Sequence, residues 1–167
     1  MNAAELAIIG DLDPAFRSQV KAMVAYCEAL LSGHHYRLSV SSYTRPEVAG
    51  RRTEAQQRCM FDTGLSKADG TKKRSAHQDG RAIHFGFRDR RNPQLYWDPP
   101  RMESGMRAVW DSVVAKADRL GWVWGGRFKP LRPDGLGWDP EHFEAWPLLK
   151  GAPKGDTLPD EAYKDPA

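Results

Sequence analysis

The sequence predicts an α+β domain, a small antiparallel sheet packed against helices, and three observations predict it. Apolar residues recur at helical spacing over two long stretches, near 14–31 and 106–120. Shorter stretches at 36–43, 82–87, 122–126 and 142–146 have the alternation or the aromatic and β-branched content of strands. The order is helix, strand, helix, strand, helix, strand, strand, which segregates helices from antiparallel strands.

Asp13-Pro14 reads as a helix start, with the aspartate as N-cap and the proline in the first turn. Phe16, Val20, Met23, Val24, Cys27, Leu30 and Leu31 then mark one buried face, and Gly33 ends the helix. "YRLSVSSY" at 36–43 alternates as a strand does. Pro46 and Gly50 break the chain before "RRTEAQQRCMF", a second helix for which Thr53 is the cap.

"AIHFGF" at 82–87 is the next strand. Its period of two puts Ile83, Phe85 and Phe87 on one face and Ala82, His84 and Gly86 on the other. The first face needs a core. The second, lined by small residues, is free to carry a site. After a proline-rich connection, Met106, Val109, Trp110, Val113, Ala117 and Leu120 mark the third helix, ended by Gly121. "WVWGG" and "HFEAW" supply the last strands. The Pro, Gly and charge content beyond Leu149 predicts a single domain over 1–149 followed by a flexible tail at 150–167.

A chain of 167 residues can bury a core without staples, and 40% hydrophobic with 28% charged residues excludes the disordered and fibrous classes. The start "MNAAELAIIGDLD" lacks the basic segment and apolar core of a secretory signal, and no apolar run approaches membrane-spanning length. The expectation is synthesis in the cytoplasm and no membrane insertion. Cys27 and Cys59 have no pairing motif and are expected as reduced thiols. The net charge of +3 is uneven, with eight Lys or Arg against three Asp between positions 67 and 91. That run is either a solvated loop or a basic rim for an anionic polymer.

The chemistry concentrates in two short stretches. "SAHQDGRAIHF" at 75–85 holds His77 and His84, and "DPEHFE" at 139–144 holds His142 among carboxylates. Three imidazoles can bind zinc and leave a fourth position for water. Zinc brings the pKa of such a water near neutrality, and Asp139, three residues before His142, is close enough in a turn to take its proton. His34 and His35 stand at a helix end, where a cation meets the C-terminal dipole, and are read as ordinary residues.

"SAHQDGRAIHF" resembles the S-x-H-x-x-G-x-A-x-D signature of the zinc peptidases that cut peptidoglycan stem peptides. These are D-alanyl-D-alanine carboxypeptidases and dipeptidases and the L-alanyl-D-glutamate endopeptidases of phage endolysins. "DPEHFE" is similar to their D/E-x-x-H element, "RTEAQQRCMFDTG" to their R-T/S-x-x-x-Q…G helix start, and "WVWGG" to their W-G-G turn. The resemblance spans about residues 13–146. It implies a single zinc site at the sheet edge, with His77 and His142 as ligands and Asp139 as general base. It makes Arg52 the cation that holds the substrate carbonyl or its oxyanion. Arg45 competes for that role, although the spacing from Arg52 to Gln57 and Gly64 favours Arg52. Ser75 and Gln57 are implied on the substrate side. Glu144 either orients a ligand histidine or is a plain strand residue.

One position departs from the signature: His84 stands where the family has aspartate. Either His84 is the third ligand, or metal binding is weakened and the protein is a retired enzyme. The preferred reading is a Zn2+-dependent peptidoglycan hydrolase, an endolysin released through a holin-type pore, with L-alanyl-D-glutamate cleavage ahead of D,D-carboxypeptidase activity. Cobalt or manganese could replace zinc in vitro. The runner-up is a non-catalytic wall-binding module with the same fold. Nucleic-acid binding ranks last, because the six Trp are not interleaved with the basic run as a stacking platform requires. A monomer is expected, with peptidoglycan as partner.

Overall fold

A computed structural model describes residues 1–41 and 48–145. Arg45, Trp146 and the segment 150–167 lie outside the described residues. Among the described residues four α-helices, α1 (Ala3–Gly10), α2 (Pro14–Leu30), α3 (Glu54–Asp62) and α4 (Ser104–Arg119), accompany five strands, β1 (Tyr36–Val40), β2 (Ala82–Asp89), β3 (Tyr96–Trp97), β4 (Trp122–Trp124) and β5 (His142–Ala145). The sheet runs β1-β2-β5-β4 with β3 also on β2, and every pairing is antiparallel. The α+β architecture is the one the segregation of helix and strand signals predicts.

The helix starts follow from capping chemistry. Asp13 accepts from the backbone N–H groups of Ala15 and Phe16, and Thr53 and Gln56 form a reciprocal capping box. Helix α3 therefore begins at Glu54, after the cap. Helix α1 was not expected from the apolar pattern, because it buries only Glu5 and Ile9. Its cap is a second capping box, Asn2 with Glu5.

The strand period decides which side chains meet the helices. Ile83, Phe85 and Phe87 of β2, Phe143 and Ala145 of β5, and Trp122 and Trp124 of β4 join the apolar stripes of α2 and α4 in one core. Trp110 is fully buried there, with its ring centroid 5.5 Å from that of Phe87 and 5.6 Å from that of Phe143. Phe16 meets Trp122 edge-on at 5.0 Å. Such aromatic pairs add about 0.5–1.5 kcal/mol each to the burial of their area. Cys27 is a free thiol in this core, pushed up to about 12 by burial and by Glu28, and Cys59 is free and exposed.

Because the core takes the odd residues of β2, the even residues face away from the helices. The register pairs Ala82 with Glu144 and His84 with His142. Cross-strand partners share a face, so His84, His142 and Glu144 stand together on the side opposite the core. That face is not open, as the small residues had suggested. Ala82 is fully buried, and a Cβ on Gly86 would overlap the ring of Tyr96.

Candidate metal centre

The site lies where the β2–β5 ladder ends, on the two middle strands. His84 and His142 form its last pair. His77 arrives from the turn before β2, which is closed by local hydrogen bonds. The Ser75 N–H donates to Gln78 Oε1 at 3.0 Å, the His77 N–H to Ser75 Oγ at 3.3 Å, and the Gly80 N–H to the His77 carbonyl at 3.1 Å. Ser75 is buried and shapes this turn.

The segment 48–52 laces these pieces together. The His84 N–H donates to the Ala49 carbonyl at 2.8 Å, and the Arg52 N–H to the His77 carbonyl at 3.0 Å. His77 Nδ1 lies 2.7 Å from the Gly50 carbonyl oxygen. A carbonyl only accepts, so Nδ1 carries the proton and Nε2 of His77 is left as a bare lone pair. His142 is fixed in the opposite sense, since its Nε2–H donates to Glu144 Oε2 at 2.9 Å and its Nδ1 is the lone pair. Glu144 sits two residues along the strand from His142, on the same face.

His77 Nε2 and His142 Nδ1 are 3.1 Å apart, and His84 Nε2 lies 3.1 Å from the first and 3.3 Å from the second. All three residues are buried. Burial, then the charge of Arg52, holds the His77 and His84 imidazoles well below the usual histidine range, so they are neutral. The two lone pairs fixed by their outer bonds, His77 Nε2 and His142 Nδ1, bind nothing between themselves at this distance. A cation at their centre resolves the arrangement. Zinc–nitrogen bonds of about 2.0–2.1 Å in a tetrahedron separate ligand nitrogens by roughly 3.3 Å, which matches the spacing. Among the described residues, His77, His84 and His142 are the group able to hold a metal ion.

Asp139 joins this triad. Its Oδ2 stands 3.6 Å from His84 Nε2 and 3.8 Å from His142 Nδ1, with about a fifth of the side chain exposed. Burial pushes its carboxyl up, against the pull of His142 and Arg52. The turn that presents it closes on itself through His142 N–H to the Asp139 carbonyl at 3.1 Å. It packs on Gly125, where any Cβ would overlap the Asp139 carbonyl oxygen. The "WVWGG" glycine is thus a contact surface for "DPEHFE".

Arg52 is buried, with Nε donating to the Val48 carbonyl at 2.7 Å and Nη1 to Gln57 Oε1 at 3.2 Å. Burial lowers its pKa to about 10, still a cation at neutral pH. Gln57 is fully buried and spends its amide nitrogen on Ser66 Oγ and the Ala68 carbonyl, both at 2.7 Å. The structure therefore places Gln57 beneath Arg52, as its support, with no surface toward a substrate. The basic run is only partly a rim: Arg81 is buried, and both it and Arg74 bind Asp79, at 2.7 and 2.6 Å. His34 and His35 flank Tyr36, away from the cluster.

A cleft of about 400 Å3 opens over His84, Asp139 and Glu141, bordered also by Leu65, Trp138, Asp98, Arg101 and Arg132. Sequence reasoning missed the Gly50 carbonyl and Glu141. A main-chain acceptor has no side-chain signature, and Glu141 was one acid among several.

Residues 69–145 match the family model described as D-alanyl-D-alanine carboxypeptidase. The match contains Ser75, all three histidines and Asp139, and stops short of Arg52 and Gln57. No curated protein matches the chain. The family match and the histidine triad together support a metallopeptidase.

Proposed function

We propose that this protein is a zinc peptidase that hydrolyses an amide bond in the stem peptides of bacterial peptidoglycan. The observation that carries the reading is the convergence of three buried imidazoles, two of them anchored from behind, beside one carboxylate. His77 and His84 through Nε2 and His142 through Nδ1 would hold the ion. Zinc in such a site supplies a Lewis acid that polarises the scissile carbonyl and acidifies water.

The protein's own residues do the rest. Asp139 accepts a proton at Oδ2 from the attacking water and delivers it to the leaving amine as the C–N bond breaks. Arg52 places a permanent positive charge near the site, where it opposes protonation of His77 and His84 and favours negative charge developing on the carbonyl oxygen. The cleft combines apolar walls at Leu65 and Trp138 with charges of both signs, Arg101 and Arg132 beside Asp98, Asp139 and Glu141, a lining suited to a short peptide.

Within this reading, the protein acts as an endolysin from phage or prophage, reaching the wall after release through a membrane pore, and cuts the L-alanyl-D-glutamate bond. Among the described residues no helix is long and apolar enough to cross a membrane. Incubation with defined muropeptides, followed by mass spectrometry of the fragments, tests both the activity and the bond. New amine ends that vanish with chelator are expected; their absence, with or without added zinc, would return the wall-binding reading.

A further inference from the structure

Two of the three histidines are braced from behind: His77 by the Gly50 carbonyl at 2.7 Å and His142 by Glu144 at 2.9 Å. His84 differs. Its Nδ1 is buried and has no hydrogen-bond partner. The group facing it is Glu141, whose Oε2 lies 3.8 Å away. Glu141 is itself nearly enclosed, and its main-chain carbonyl accepts from the Phe85 N–H at 3.0 Å, which ties it to the residue after His84.

Behind Glu141 stands Tyr96. Its hydroxyl lies 2.8 Å from the Ser41 carbonyl and 3.4 Å from Glu141 Oε1. The ring reaches that position across Gly86, two residues beyond His84, where any side chain would overlap it. A strand glycine, a buried phenol and an enclosed carboxylate are thus assembled behind one imidazole.

We propose that Glu141 is the positioning residue for His84, with Tyr96 packed behind the carboxylate. Resting on the metal-site reading above, the inference gives the third imidazole the outer acceptor that the other two already have. An anionic acceptor fixes the proton on Nδ1 and turns the Nε2 lone pair toward His77 and His142. It also sets a negative charge behind the ring, where a direct carboxylate ligand would have brought its own.

The test is zinc affinity, measured by competition with a chromophoric chelator on the full chain, with circular dichroism confirming the fold. Glu141→Ala is expected to weaken zinc binding by about 10- to 100-fold. Glu141→Gln, which keeps an acceptor without the charge, should recover part of the loss. In nitrogen-15 spectra of the zinc-loaded wild type, His84 should carry its proton on Nδ1. A Glu141→Ala protein that binds zinc as tightly as wild type would overturn the proposal. If that variant fails to fold, wild-type affinity in Glu141→Gln together with a proton on Nε2 of His84 would overturn it equally. A wild type that binds no zinc would instead overturn the metal-site reading itself.

Discussion

Asp139 Oδ2 stands 3.6 Å from His84 Nε2, close enough to share the site and too far to be bonded to the ring. The carboxylate is set beside the histidine cluster without replacing a member of it. Its removal should therefore separate chemistry from binding. Asp139→Asn is expected to bind one zinc and to lose about 10²- to 10⁴-fold in kcat. Kinetics on a defined muropeptide, with metal content measured on the same sample, checks it; loss of the metal would make Asp139 a ligand.

Gly125 offers a test of how the loops hold the site. A Cβ there would overlap the Asp139 carbonyl oxygen and come within 2.9 Å of the His142 Cβ. Gly125→Ala should displace the 139–142 turn and cost about 1–3 kcal/mol of stability. Thermal melts with and without zinc read both effects. The substitution should also shrink the zinc-induced rise in Tm, because His142 moves with the turn.

Far from the site, Glu5 ties α1 to β1. It accepts from Arg37 Nη1 at 2.8 Å and from Ser39 Oγ at 2.7 Å, and its carboxylate closes the Asn2 cap at 2.8 Å. Burial alone would raise its pKa from the ordinary 4.5, but these bonds outweigh burial and lower it. Its stabilising contribution is therefore complete above about pH 4.5 and is lost as the pH falls through the lower, folded value. Glu5→Gln should cost about 1–3 kcal/mol at neutral pH and converge on wild type under acid conditions. Melting curves from pH 7 down to 3 check this; a constant gap would contradict it.

Much of this was legible in the residues because one-dimensional periods map directly onto faces. The alternation in "AIHFGF" separates core from site side, and the same period in "HFE" puts His142 and its brace Glu144 on one face with Phe143 in the core between them. Helix α2 was announced by Asp13-Pro14 and its apolar stripe. Helix α1 was not, since it buries one apolar residue, Ile9, beside a glutamate, and its signal is the Asn2–Glu5 box. Strand β3 has two residues, too short for any pattern. The role of 48–52 is carried by main-chain carbonyls, which every residue has, and Gln57 looked like a substrate contact until its amide was seen bonded within the fold. Register and tertiary contact supplied what spacing could not.

His84 is the residue on which the account turns, because it stands where the related signature has aspartate. Equilibrium dialysis against zinc, followed by elemental analysis, measures its part directly in wild type, His84→Ala and His84→Asp. The account predicts one zinc per chain in wild type, near-complete loss in His84→Ala, and retention in His84→Asp, where a carboxylate again supplies the third ligand. One tightly held zinc in His84→Ala would contradict it.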